Sequence, residues 1–251
     1  FGELPGNTAT DPVFGLEAVW IDASQRDQAQ TYGYTVVDPS TVVATHMSQI
    51  LQEHAHELLG HKEVQSLIDR YSERSPKVVD DIIPNIIPVG VVLQVMQNLL
   101  RENIPIRDIN TIVETIVGQS RTTQTVETLT AAVRIALGRQ IVERITSGET
   151  ELQVITLDVA LEQLLQQTLQ AMSDGSGVVE PGLAQQLIKS LQEACERQEL
   201  AGQVSVLLVA DNLRELLVKL VKFSVPRLHI LAFSEVPETK DIRIVNTIGS
   251  A

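Results

Sequence analysis

Four of the five histidines fall in one short stretch, at His46, His54, His56 and His61. Imidazoles at helical spacing are a common means of holding a catalytic zinc ion. The run His56-Glu57-Leu58-Leu59-Gly60-His61 comes within one residue of the zinc-protease signature H-E-x-x-H. That signature needs both imidazoles on one helix face, at i and i+4. A spacing of five swings the second about 140° away at 3.6 residues per turn. His54 and His61 would share a face of a continuous helix, but Met47, Leu51 and Leu58 point near the same way. The plainer expectation is helix histidines without a metal.

Other chemistry is thinner still. The single cysteine, Cys195, excludes an internal disulfide and a cysteine-rich metal cage. It continues the stripe Ala184, Leu187, Ile188, Leu191 and reads as a small buried hydrophobe. No G-x-S-x-G elbow is present, and Ser176 between Gly175 and Gly177 is a loop signal. Neither a phosphate loop nor a dinucleotide fingerprint follows any predicted strand. The acidic pairs Asp80-Asp81 and Glu149/Glu151 lie beside turns and read as solvated. A metal-dependent or α/β hydrolase is therefore the alternative from another class. The expectation is no catalytic residue, no metal and no cofactor.

Composition narrows the partners. With 19 Lys and Arg against 32 Asp and Glu, the chain carries a formal charge of −13, which repels a phosphate backbone. Aromatic content of 3% leaves few rings for stacking bases, so nucleic acid is not expected. The same scarcity means that cores must be built from Leu, Ile and Val. A hydrophobic share of 43% suits a globular fold, and no apolar run reaches the roughly 18 residues of a membrane span. The N-terminus, Phe1-Gly2-Glu3-Leu4-Pro5, has neither the basic nor the apolar region of a signal peptide. It also lacks an initiator Met, and the chain reads as a piece of a longer protein.

Periodicity supplies the elements that would position these residues. Glu17–Asp22 and Tyr34–Asp38 have strand character, with a helical segment over Ser24–Thr31 between them. Asp38-Pro39 offers an N-cap and first-turn pair. It opens a helix with Val43, Met47, Ile50, Leu51, His54 and Leu58 on one stripe, closed by Gly60. Helices are predicted over Lys62–Arg74, Val89–Glu102, Asp108–Val117 and Gln124–Ile145, the last the longest. Beyond residue 147 the period changes. Strands at Leu152–Leu157, Val204–Val209, Leu228–Phe233 and Ile242–Ile248 alternate with helices at Asp158–Met172, Pro181–Leu200 and Asn212–Phe223. That order predicts a parallel sheet with both faces covered. The fold class is α+β with several subdomains: a small α/β piece, an all-helical middle and a C-terminal α/β subdomain with a mainly parallel sheet.

Two short motifs are more specific than any of this. Asp11-Pro12-Val13-Phe14-Gly15-Leu16 is followed by Val19-Trp20-Ile21-Asp22. Gly33-Tyr34-Thr35-Val36-Val37-Asp38 then runs into Ser40-Thr41-Val42-Val43-Ala44-Thr45-His46. With Ile104-Pro105-Ile106-Arg107-Asp108, Val133-Arg134-Ile135-Ala136-Leu137-Gly138-Arg139 and the ending Ile242-Arg243-Ile244 before Thr247-Ile248-Gly249, they resemble one family. It is the cytosolic domain of the large export-gate protein of flagellar type III secretion, a family shared with virulence injectisomes. The runs from Thr41 to His46 and from Ala136 to Arg139 tilt the resemblance toward the flagellar branch. The injectisome homologue is the near alternative.

The resemblance implies a docking platform at the cytoplasmic side of the bacterial inner membrane. Chaperones carrying export substrates would dock in a hydrophobic dimple at positions matching Asp11, Phe14, Val37, Val42 and Thr45. It further implies a homo-oligomeric ring, other export-apparatus components as partners, and membrane contact only through a region upstream of Phe1. Its domain plan would be 1–38, a partial α/β subdomain; 39–60, a helix completing an adjacent subdomain; 61–146, helical; and 147–251, α/β. Three of these site residues also have a plainer role. Asp11 can cap a turn, Phe14 can be a core ring, and Thr45 can bond the backbone one turn earlier.

Overall fold

The computed structural model describes residues 4–73, 87–119, 125–173 and 179–249. Asp80-Asp81, Pro84 and the glycine-flanked Ser176 lie outside the described residues. The chain divides into two compact units, Phe1–Arg107 and Asp108–Ala251.

The first unit begins with an antiparallel hairpin of β1 (Asn7–Thr10) and β2 (Glu17–Trp20), pairing Asn7 with Trp20 and Thr10 with Glu17. A single 3₁₀ turn, Ala23–Gln25, follows; Asp22 accepts from the Ser24 amide at 3.0 Å and Gln25 accepts from the Asp22 amide at 3.2 Å. Helix α1 (Arg26–Thr31) leads through an irregular segment to α2 (Pro39–Glu53). No strand forms at Tyr34–Asp38. Asp38 occupies the N-cap position and Pro39 the first turn, but the Asp38 carboxylate caps nothing and lies 3.8 Å from Arg26 Nη1 instead.

The long helix expected from Pro39 to Gly60 is broken. At His54 the backbone leaves helical values (φ −98°, ψ 12°) before a single further turn, α3 (Ala55–Leu58). Gly60 then starts α4 (His61–Ser72), its amide held by Glu63 Oε2 at 3.0 Å. Nor is the apolar stripe of α2 a core stripe, since no residue of α2 is buried. The core of this unit lies further on. Val64, Ile68 and Tyr71 of α4, spaced i, i+4, i+7, meet Val92, Val95, Met96 and Leu99 of α5 (Val89–Arg101). Gln97 Nε2 donates to the Leu59 carbonyl at 3.0 Å and ties α5 to the α3–α4 link.

The second unit opens with α6 (Ile109–Gln119), α7 (Val126–Ala136) and α8 (Gly138–Thr146). The sequence reads the last two as one helix; the chain turns at Leu137 (φ −89°, ψ 1°). Four parallel strands follow, β3 (Glu151–Leu157), β4 (Val206–Val209), β5 (His229–Ala232) and β6 (Asp241–Ile248), in the order β5-β4-β3-β6. Connecting helices are α9 (Val159–Ser173), α10 (Pro181–Leu200) and α11 (Asp211–Val221).

Two-residue alternation decides which face each strand residue serves. Ile155, Leu157, Leu207, Val209 and Ile230 join Leu161, Leu165, Leu187, Leu191, Leu213 and Leu217 in one aliphatic core. Leu152 and Val154, also buried, turn to the opposite face, where α8 packs on β3. Cys195 sits inside the first of these layers, and loss of hydration raises its thiol pKa. Among the described residues, no helix is long and apolar enough to cross a membrane.

Candidate docking site

The apex of the first hairpin is fixed from within. Asp11 Oδ1 accepts hydrogen bonds from the Val13 amide at 2.9 Å and the Phe14 amide at 2.7 Å. The Asp11 carbonyl accepts from the Gly15 amide at 3.0 Å, and the Asp11 amide donates to the Leu16 carbonyl at 2.8 Å. Gly15 closes the turn at φ +67°, the left-handed region that a side chain would strain. Asp and Asn favour such turns because their short side chains reach the amides two and three residues on. The outcome is that Phe14, 64% exposed, stands at the apex with Leu16 and Trp20, also exposed, on the same hairpin.

The other three sequence-derived residues lie elsewhere in this unit. Val37, 51% exposed, is in the connector before α2. Val42 is half-buried in the first turns of α2 and Thr45 is exposed one turn on; three apart, they share a helix face. Thr45 Oγ1 donates to the Thr41 carbonyl at 2.8 Å, the backbone bond one turn earlier that is its plainer role. The principal packing of the hairpin is strand on strand, and that of α2 is against α3. The five positions are thus distributed over a hairpin apex, a connector and a helix face.

The apolar stripe expected on α2 joins no core. Val43, Met47, Ile50 and Leu51 of α2 and Leu58 of α3 are all exposed. Their helical spacing was visible, but spacing marks an apolar face without saying what covers it.

The histidine cluster has a defined geometry. His54 Nδ1 lies 2.9 Å from Glu57 Oε1, and His56 Nε2 lies 3.7 Å from the same oxygen. The hydrogen bond and charge of His54 hold the Glu57 carboxyl below its ordinary pKa. The break at His54 places His54 and His61 in different helical segments, so they do not share the face that a continuous helix would give them. Among the described residues, no group of three or more His, Cys, Asp or Glu is placed to hold a metal ion.

Comparison with known proteins bears on the fold and the family. The structure is similar to that of Chlamydia pneumoniae CdsV, with a TM-score of 0.80 and 23% identity over 93% of this chain and 67% of that one. It is likewise similar to the nonameric EPEC SctV-C, with a TM-score of 0.73 and 24% identity over 92% of this chain and 69% of that one. At that identity the likeness speaks for the fold, the α+β architecture expected above. In sequence, the chain is 45% identical to the flagellar biosynthesis protein FlhA of Escherichia coli K12 over 248 residues, 99% of this chain and 35% of the relative. It therefore spans about a third of the length of the curated relatives it matches. The model of the FHIPEP family matches residues 2–241, nearly the whole sequence, and the chain belongs to the FHIPEP family.

Proposed function

We propose that this chain is the docking platform of a flagellar protein export gate. It receives chaperone–substrate complexes at the cytoplasmic face of the inner membrane and orders their delivery. The observation that supports this reading is Phe14, a ring 64% exposed at the apex of a turn that Asp11 already holds. An anchor needs apolar area to bury and little conformational freedom to lose, and a pre-formed turn supplies both. Val37, Val42 and the Thr45 methyl would widen the apolar floor. Residues 1–38 and 39–60 would carry the docking surface, 61–146 would be a helical subdomain and 147–251 an α/β subdomain.

The flagellar branch is favoured by the 45% identity to a flagellar relative, against 23% to CdsV. By likeness to the nonameric EPEC SctV-C, the chain would work as one member of a ring. Membrane attachment and contacts with other export components would come with the parts of the longer relatives that it does not span. The role is binding, without bond-making chemistry. A charge of −13 favours partners with basic docking segments, and the affinity should fall as salt rises.

The test is titration of the purified chain with flagellar late-substrate chaperones, free and cargo-loaded. Phe14→Ala and Thr45→Met are each expected to leave the melting temperature unchanged. Phe14→Ala should weaken cargo-loaded chaperone binding by about thirtyfold or more, the equivalent of losing an anchor worth about 2 kcal/mol. Unchanged affinity, or loss of the fold in place of binding, would reject the docking role.

A further inference from the structure

Three charged side chains meet in the interior of the second unit. Arg134 of α7 is 2% exposed, Glu235 2% and Arg214 of α11 9%. Glu235 ends a single 3₁₀ turn, Phe233–Glu235, that follows β5. Arg134 grips it with both arms of the guanidinium, Nε to Oε1 at 2.6 Å and Nη2 to Oε2 at 2.8 Å. Arg214 Nε lies 3.3 Å from Oε1 and donates to the Ile230 carbonyl at 3.0 Å. The Ala232 amide donates to Oε2 at 3.4 Å. One carboxylate is thus shared by a helix before the sheet and a helix within it, across 101 residues of sequence.

Backbone packing reinforces the same joint. Gly138 lies four residues after Arg134, at the start of α8. A Cβ there would stand 2.2 Å from the Glu235 carbonyl oxygen, so only glycine lets the chain approach so closely. At the far end of α8, Lys240 Nζ donates to Thr146 Oγ1 at 2.9 Å and to the Glu149 carbonyl. Those two residues bracket the connector from α8 to β3, where Ser147 (φ 50°) and Gly148 (φ 87°) both take left-handed backbone. Taken alone, that connector has the sequence of a hinge. It is instead bridged from outside by Lys240.

We infer that the Arg134–Glu235–Arg214 cluster locks α7 and α8 onto the parallel sheet, so that α7, α8 and strands β3 to β6 open and move as one body with no hinge at residues 147–150. The physical ground is the cost of separation. Drawing α7 away would strand a carboxylate and guanidinium groups that have already left water, and a buried charge without its partner is strongly unfavourable. Proteins open locally and sub-globally in contiguous cooperative units; here separate opening of the helical pair is opposed by charge and by backbone contact together.

Native-state hydrogen exchange on the full chain tests this. In rising denaturant, the amides of Val133 and Val142 should join those of Val154 and Leu207 in a common opening, with rates within about threefold. A separate opening of α7 and α8, tenfold or more faster than the sheet, would overturn the inference by itself. Glu235→Gln, which keeps shape and removes the charge, is expected to release the pair. Exchange in α7 and α8 should then rise at least tenfold beyond any change in β3 and β4. An equal rise in both layers, or none, would deny the cluster its locking role. If that variant does not fold, the wild-type exchange pattern still decides.

Discussion

At the hairpin apex a single carboxylate oxygen holds two backbone amides. Asp11 Oδ1 holds the Val13 and Phe14 amides, so whatever Asp11 offers a partner comes through the rest of the side chain. Asp11→Ala should therefore act on order before affinity. Amide exchange at Val13 and Phe14 is expected to rise about tenfold, while Asp11→Asn, which makes the same turn, stays near wild type. Asp108 makes a similar arrangement at the head of α6. Burial pulls its pKa up, but the Thr111 hydroxyl, the Thr111 amide and the Gln140 side chain outweigh burial and hold it below the ordinary 3.8. A depressed carboxylate stabilises the fold fully above its unfolded pKa, and that stability is lost as pH falls through the lower folded value. Asp108→Ala should cost about 1 kcal/mol at neutral pH as a lost cap, toward the lower end of the usual range because solvent screens the site. Denaturant titration at several pH values should show the difference from wild type shrinking below about pH 4.

Helices in this chain stop where tertiary packing requires it. The turn at Leu137 falls where Gly138 presses on the Glu235 carbonyl, and the break at His54 turns the chain from α2 toward the α4–α5 core. Gly138→Ala is thus a sharp probe. Glycine to alanine stabilises an ordinary helix, yet here the added methyl meets backbone that cannot rotate aside. The expected result is a loss of about 1–3 kcal/mol, the usual cost of overpacking, read as a lower midpoint in thermal or denaturant unfolding. A neutral or stabilising outcome would mean that the turn at 233–235 shifts freely. The Pro181–Leu200 helix shows the opposite case, since its predicted and observed bounds agree. Its proline in the first turn and its leucine stripe answer to the same core.

Across the whole molecule, the apolar surface is unevenly distributed. The second unit buries Leu161, Leu165, Leu187, Leu191, Leu213 and Leu217 on one side of its parallel sheet and Leu152 on the other, although Leu164 and Leu200 are exposed. The first carries an uncovered apolar face on α2, where Val43, Met47, Ile50 and Leu51 recur at i, i+4, i+7 and i+8. Contiguous exposed apolar area promotes association. The purified chain is expected to bind a hydrophobic dye and to self-associate with rising concentration. The double variant Met47→Glu/Leu51→Glu should reduce both, with the melting temperature held within about 2 °C, because neither side chain contributes to a buried core. A large fall in melting temperature would show that the face is packed.

By itself, the sequence determined the class of fold, the order of nearly all the helices and the parallel strands, and the family. Aliphatic periodicity sets which segments become helix or strand, and the short motifs around Asp11 and Thr41 are read residue by residue. It did not determine which apolar faces are covered. The stripe of α2 and the stripe of α4 obey the same spacing, yet one is exposed and the other buried, since burial depends on what arrives from elsewhere in the chain. The hairpin strand Asn7–Thr10 was missed because Asn-Thr-Ala-Thr lacks a large apolar residue, and pairing with β2 makes it a strand. Tertiary structure alone brought Arg134 to Glu235 across 101 residues. No local pattern encodes a charge pair whose partners meet only after the sheet has formed.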